Sequence, residues 1–320
     1  MLHATLKSKA NEDVCMLFRA ENHAWNYVCD CGIASDLSVK DCRDTAAIFI
    51  SHTHIDHFSN FDWILRHQLA IGRKVVLCGP PGIAQNVQCK LLAYNWVLLE
   101  TDEHAVSYEV REISEKGKIE VYHLRATRWE LEKTAEYFSD ICYENESFFV
   151  KYTHLNHSIS SVAYLFEEQP KAKMQLENCP FPAGKWMAEL KKAFLANETE
   201  MQIEVEGKTL LAKELFQYIH NERGYRLGYV MDHRADVENH AKILALFSEA
   251  DECFIETYYR EMEREFALKN FHSVASESAK VMRNAKVKKV HPVHHSRRYH
   301  DEAERNALLA EFFAIFNGKE

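Results

Sequence analysis

The stretch that most constrains this chain is Phe49-Ile-Ser-His-Thr-His-Ile-Asp-His-Phe58. Ala46–Ile50 is a short apolar run that reads as a buried strand, and His52, His54, Asp56 and His57 follow where that strand must end. Alternate side chains of an extended backbone share a face, so His52 and His54 can point together at one ion. Asp56 and His57 fall on the turn beyond, displaced enough to serve a second ion beside the first. Imidazole nitrogen and carboxylate oxygen are the donors of a hydrolytic zinc site, which keeps one position open for water. A polar surface turn rich in histidine is the plain alternative, but the compound spacing directly after a strand favours metal.

A chain of 320 residues can bury one large α/β core, and no Pro/Gly/Ser-rich linker, repeat or low-complexity tract divides it. One domain spanning 1–320 with insertions is therefore expected. The absence of an eighteen-residue apolar run, and an N-terminus without signal-peptide character, predict a soluble protein of the cytoplasm with no membrane segment. Nine cysteines, odd in number and scattered, read as reduced thiols; Cys29 and Cys31 read as core side chains. A net charge of −9 argues mildly against nucleic-acid binding unless a local basic patch compensates.

Strand-like runs at Ala4–Leu6, Val14–Arg19 and Ala24–Cys29 precede the metal stretch. Asp30 and Gly32 end the last of them; Asp30 reads as a carboxylate capping a turn or, equally, through the resemblance of Asp30-Cys-Gly32 to the stretch before a metal loop in a known family, as a residue that orients a ligand histidine. A helix is expected from Phe58 to Ile71, a strand at Lys74–Cys78, a helix near Ile83–Tyr94, and strands at Val106–Ile113 and Ile119–Leu124. The acidic stretch Trp129–Tyr143 has helix-like spacing, and 128–147 reads as a surface insertion. A polar loop carrying His154 and His157 runs into an alternating strand, Val162–Phe166. Further strands end at Asp232, at Glu256 and at His294, and ligands gather at such carboxyl ends in open α/β sheets. From Lys280 to Arg298 stand seven basic residues and no acid, either a solvated face or a phosphate-attracting patch.

The ordered motifs resemble the metallo-β-lactamase superfamily, and within it the ribonuclease Z branch. Cys78-Gly-Pro-Pro-Gly-Ile-Ala84 is similar to that branch's strand–turn–helix connection. His157 stands seven residues before Tyr164 as the family's ligand does, with His154 the fallback; Ser160 and Ala163 replace the usual Pro and Gly. Tyr229-Val-Met-Asp-His233 resembles the strand whose Asp bridges two metals, with Met231 and His233 in place of Gly and Thr. Asp251-Glu-Cys-Phe-Ile-Glu256 is similar to the strand ending His-Glu-Ala-Thr, with Ile255 for the His, and His272-Ser273 to the His-Ser-Thr that opens a helix. His294-His-Ser-Arg-Arg-Tyr299 resembles the closing motif. Residues 170–216 resemble a protruding arm that grips tRNA. This arm holds seven Lys and seven Glu, so its charge suits a lid or dimer contact as well as a phosphate-gripping surface.

The resemblance implies an α/β metallo-β-lactamase αββα sandwich, two mixed sheets with helices outside. It assigns His52, His54 and His157 to one ion, Asp56, His57 and His294 to the other, and Asp232 to both. The cofactors would be two divalent ions, Zn2+ or alternatively Mn2+ or Fe2+. Asp56, Glu256 and His272 become the catalytic groups, and Arg298 and Tyr299 substrate positions; His233, His291, His295 and His300 are read as non-ligands. The implied activity is a phosphodiesterase resembling the tRNA 3′-processing endoribonuclease, a homodimer acting on precursor tRNA. A small-molecule or cyclic-nucleotide phosphodiesterase, another hydrolase of the fold, and a metal-bound module without activity are the alternatives. Read without the resemblance, Glu256 and His272 are an ordinary strand-end carboxylate and a helix-start histidine.

Overall fold

Near-continuous apolar runs mark the central strands of the first half of the chain, and they become one mixed sheet buried on both faces. Its strands lie in sequence order: β1 (Leu2–Leu6), β2 (Met16–Ala20), β3 (Asn26–Cys29), β4 (Thr45–Phe49), β5 (Lys74–Gly79), β6 (Ser107–Ile113), β7 (Lys118–Arg125) and β8 (Glu132–Phe138). β3 to β6 run parallel, so their carboxyl ends, including the end that carries the His-rich turn, share one edge of the sheet. The computed structural model describes residues 1–99 and 105–318.

Next come β9 (Ile141–Glu144), β10 (Phe148–His157) and β11 (Ile159–Glu168). Four short strands follow in a unit of their own: β12 (Lys171–Met174), β13 (Gln202–Val205), β14 (Lys208–Leu211) and β15 (Ile219–Glu222). The chain then returns through β16 (Arg226–Val230), β17 (Glu252–Glu256) and β18 (Lys289–Val293). The second sheet has the order β18-β17-β16-β11-β10-β9, with β16, β17 and β18 parallel.

The helices are α1 (Val39–Arg43), α2 (Ile55–Phe58), α3 (Phe61–Gln68), α4 (Ile83–Leu92), α5 (Trp186–Leu195), α6 (Ala212–Leu215), α7 (Val237–Phe247), α8 (Arg264–Lys269), α9 (Ala275–Asn284) and α10 (Glu302–Phe316). Their placement follows from strand alternation. Met16, Phe18, Ala47 and Phe49 point inward and meet Phe148, Tyr164, Phe166 and Tyr229 of the second sheet. Their neighbours Leu17, Ile48 and Ile50 point outward, under Phe61, Ile64 and Leu65 of α3 and Ile83 and Val87 of α4. Leu165, Val230 and Ile255 likewise point out of the second sheet toward Ile243, Phe247, Met282 and Phe312. Three apolar layers between four layers of structure make the αββα sandwich the motifs imply. Each fully buried ring, such as Phe18 stacked on Phe166 at 4.5 Å, contributes roughly 2 kcal/mol.

Two compact units result, Met1–Glu167 with Tyr225–Glu320, and Glu168–Gly224. The second has its own core of Trp186, Leu190, Ile203, Val205 and Leu215, and it contains the 170–216 stretch. No helix among the described residues is long and apolar enough to cross a membrane.

Two expectations fail. Trp129–Tyr143 is not helical: 132–138 and 141–144 are β8 and β9. Every residue of β8 is exposed at the sheet edge, so the stretch never shows the alternation that marks a strand, while Trp129 and Cys142 at its flanks are fully buried. The polar loop expected around His154 is the carboxyl half of a ten-residue strand, β10, which delivers His157 at its end.

Candidate metal centre

Five strand ends converge at one edge of the sandwich. β4 leads into Ser51-His52-Thr53-His54, whose extended backbone at His54 (φ −63°, ψ 155°) breaks into the single turn of α2 carrying Asp56 and His57. β10 ends on His157, β16 leads to Asp232, β17 ends on Glu256 and β18 leads to His294. His294 adopts a left-handed backbone (φ 54°), a strained choice for a residue other than glycine and one that functional sites retain.

The side chains form two donor sets. His52, His54, His157 and Asp232 bring one donor atom each within 4.8 Å of one another, as do Asp56, His57 and His294. Asp232 stands between the sets. Its Oδ2 lies 3.4 Å from His157 Nε2, 3.7 Å from His52 Nε2 and 3.5 Å from His57 Nε2, while its Oδ1 lies 2.7 Å from His294 Nδ1. Asp56 Oδ2 is 3.8 Å from His57 Nε2 and 3.5 Å from His294 Nε2. His52 Nε2, His57 Nε2, His294 Nδ1 and Asp232 Oδ1 are buried, and none has an aligned hydrogen-bond partner. Buried polar atoms left in this state are rare, and four of them aimed at one space fit donors meant for cations.

The opposite ring nitrogens are committed. Fully buried Asp30, itself left-handed at φ 52°, accepts His57 Nδ1–H on Oδ2 at 2.7 Å, together with the hydroxyls of Ser51 (2.7 Å) and Tyr229 (2.8 Å). Its Oδ1 accepts the Ser51 amide at 2.7 Å. Because the Ser51 hydroxyl donates to Asp30, it accepts from His52 Nδ1–H at 3.0 Å. His157 Nδ1–H donates to the Phe271 carbonyl at 2.7 Å. All three rings are thereby held in the tautomer that leaves Nε2 as a lone pair facing the centre. Of the two readings of Asp30, the structure has the one in which it orients histidine.

Burial and the carboxylates pull these histidines in opposite directions. Burial opposes a proton on His294, yet Asp232 and Asp56 outweigh it and lift its pKa to about 9. Burial likewise opposes a charge on His57, but Asp232 and Asp30 raise its pKa well above the ordinary histidine value. His52 is held well below that value by burial and by the neighbouring His57. The carboxylates thus favour positive charge in this space.

Beside the first set, Glu256 is fully buried and accepts the Nδ1–H of His272 on Oε1 and the His233 amide on Oε2 at 2.8 Å. Burial works against its ionisation, yet His272 keeps the Glu256 pKa down at about 2. His272 Nδ1 is also 4.0 Å from Asp232 Oδ2, so the pair abuts the ligand space. His233 presents Nδ1 3.2 Å from Glu256 Oε2 without hydrogen-bond alignment. His154 contacts Ser160 Oγ at 2.6 Å and lies outside both donor sets. His295 donates to the Thr257 carbonyl, His291 pairs with Glu252, and His300 is exposed.

Arg298 lies over the Phe266 ring at 4.0 Å and pairs with Glu263, and the buried Tyr299 bonds Glu263 and the Arg260 amide through its hydroxyl. The basic run is dispersed. Lys280, Lys288, Lys289, Arg297 and Arg298 each face a carboxylate. Lys286, Lys288 and Lys289 sit at the start of β18, the opposite end of that strand from His294, so no single phosphate patch forms there. Tyr229 and the Phe271 carbonyl carry no sequence signal for their roles, because each reaches the site only through the fold.

No family model matches the chain. Among curated relatives, the ribonuclease Z of Deinococcus radiodurans is 25% identical over 301 residues, covering 90% of this chain and 87% of its own. Among solved structures, the short form of human tRNase Z superposes with a TM-score of 0.57 at 16% identity, covering 93% of this chain and 94% of the other. The metallo-β-lactamase fold protein YhfI from Bacillus subtilis gives 0.56 at 12% identity, covering 99% and 93%. These structural likenesses carry the fold.

Proposed function

Taking the chain as a ribonuclease Z-like protein of the metallo-β-lactamase superfamily and a metal-dependent hydrolase, we propose that it cleaves phosphodiesters in RNA, with precursor tRNA as the substrate type. The observation that carries this reading is the Glu256–His272 pair set against the two donor sets. A departing ribose alkoxide needs a proton, and the pair offers an imidazole donor that is not among the proposed metal ligands.

His52, His54 and His157 would hold one divalent ion, Asp56, His57 and His294 the other, and Asp232 both. Such ions, when bound, lower the pKa of a water and offset charge on a phosphate oxygen. The chain's own residues do the rest. Asp56, partly exposed at the mouth, accepts the proton of the attacking water. Glu256 fixes His272 through Nδ1, leaving Nε2 to protonate the leaving oxygen. Arg298, the substrate position the family resemblance implies, would have to leave Glu263 to meet a phosphate, and Tyr299 holds the segment that carries it.

A second reading, hydrolysis of a small phosphodiester, is favoured by one observation: the Glu168–Gly224 unit contains the charge-balanced 170–216 stretch within a chain of net charge −9. The test is cleavage of a precursor tRNA transcript beside bis-p-nitrophenyl phosphate. The first reading expects site-specific cutting after the acceptor end, with a steep fall in rate as salt rises, abolished in His52→Ala. Turnover of the small diester alone would favour the second reading. A metal-loaded protein inert on both would overturn the phosphodiesterase assignment.

A further inference from the structure

Tyr258 is two residues beyond Glu256, on the segment that leaves β17, where the motif His-Glu-Ala-Thr that this stretch resembles has its Thr. Its ring lies face to face with the His272 imidazole, centroids 3.8 Å apart and planes 6° from parallel. The same ring stands 5.1 Å from His294 at 55°, so it packs beside both the proposed proton donor and the last ligand histidine, whose rings are 6.2 Å apart. His157 approaches His272 at 4.6 Å and 61°.

The backbone around Tyr258 is fastened on two sides. The Thr257 amide donates to the Val293 carbonyl at 2.8 Å and the Ser296 amide to the Tyr258 carbonyl at 3.0 Å, tying it to the segment bearing His294. The Tyr259 amide donates to the Ser273 carbonyl at 3.2 Å and the Ala275 amide to the Tyr259 carbonyl at 2.8 Å, tying it to the segment bearing His272. The backbone that carries the ring is therefore tied to the same two segments that carry the two histidines.

A single hydrogen bond from Nδ1 to Glu256 fixes one point of the imidazole but leaves the ring free to tilt about that point. A flat aromatic surface in van der Waals contact removes the tilt and so fixes where Nε2 aims. We infer that Tyr258 is a positioning residue for His272, holding its plane so that Nε2 meets the leaving oxygen. The inference rests on the phosphodiesterase reading above. In the step concerned, water oxygen bonds to phosphorus, the bond from phosphorus to the leaving oxygen breaks with its electron pair going to that oxygen, and His272 Nε2–H supplies the proton. The stacking uses the ring and not the hydroxyl.

The test exploits the leaving group. A ribose alkoxide needs that proton, whereas p-nitrophenolate departs as a stable anion. In Tyr258→Leu, kcat for precursor tRNA should fall about 10- to 100-fold, a share of what a general acid contributes. The fall for bis-p-nitrophenyl phosphate should be several-fold smaller, with KM for both substrates nearly unmoved and metal content intact. Tyr258→Phe should restore the wild-type ratio of the two rates. Equal falls on both substrates, a change confined to KM, loss of metal, or a Tyr258→Phe variant whose ratio collapses would each overturn the inference. If Tyr258→Leu does not fold, Tyr258→Met is read in the same way, and the Tyr258→Phe ratio still decides whether the ring suffices. Wild-type protein inert on both substrates would instead overturn the activity on which the inference rests.

Discussion

At the residue scale, one buried carboxylate organises both donor sets. Asp30 takes His57 directly and His52 through the Ser51 hydroxyl, so a single side chain sets the tautomers of a histidine in each set. Asp30→Asn keeps the shape but puts an amide where these bonds need an acceptor. It should weaken metal affinity about 10- to 100-fold, read by competition with a chromogenic chelator, with little change in the far-ultraviolet spectrum; unchanged affinity would mean that the tautomers are set elsewhere. His52, His54, Asp56 and His57 are legible in the sequence because one local pattern contains them all. Asp232, Glu256 and His272 are legible only through resemblance, since a lone Asp or His at a strand end says nothing by itself. Tyr229, Tyr258 and the Phe271 carbonyl are not legible at all, because the fold alone brings them to their partners: Tyr229 stands 199 residues from Asp30 and Phe271 stands 114 from His157.

At the element scale, the metal turn is gripped by the segment that ends β3. The Cys31 amide donates to the His57 carbonyl at 2.9 Å and the Asn60 amide to the Cys31 carbonyl at 2.8 Å. Gly32 is in such close contact that a Cβ there would stand 2.1 Å from the Asp56 carbonyl oxygen and 2.4 Å from Asp13 Cβ. Gly32→Ala must therefore push the turn away. It should cost about 1–3 kcal/mol of stability by overpacking and lower occupancy of the ion held by Asp56, read by chemical denaturation and metal content; full occupancy at wild-type stability would contradict the packing argument. Away from the site, Glu109 on β6 ties β5 to β6 through Lys74 and is capped by Arg111. Burial opposes its ionisation, but these bonds hold its pKa down at about 2. A depressed folded pKa gives stability that is present above the unfolded value of 4.5 and lost as pH falls through 2. Glu109→Gln should remove roughly 2 kcal/mol at neutral pH and flatten the acid limb of stability in that window; an unchanged limb would show that the strap contributes nothing. The miscast stretch at 129–143 belongs to this scale too: an edge strand exposed along its length has no buried face to write a period-two pattern.

At the scale of the whole molecule, the sandwich matters because parallel strands put their carboxyl ends on one side. β4 in the first sheet and β16, β17 and β18 in the second thereby aim four separate segments at one place, and β10 adds a fifth. The sequence shows most of these strands, but which sheet each joins depends on pairings across long stretches of chain, and only the order of motifs hints at them. Two ions sharing Asp232 underlie the proposed chemistry. Anomalous diffraction from crystals of zinc-loaded protein tests this most directly. The account predicts two peaks about 4 Å apart, one among His52, His54 and His157 and the other among Asp56, His57 and His294, with Asp232 between them. One peak, or none in protein saturated with metal, would contradict it.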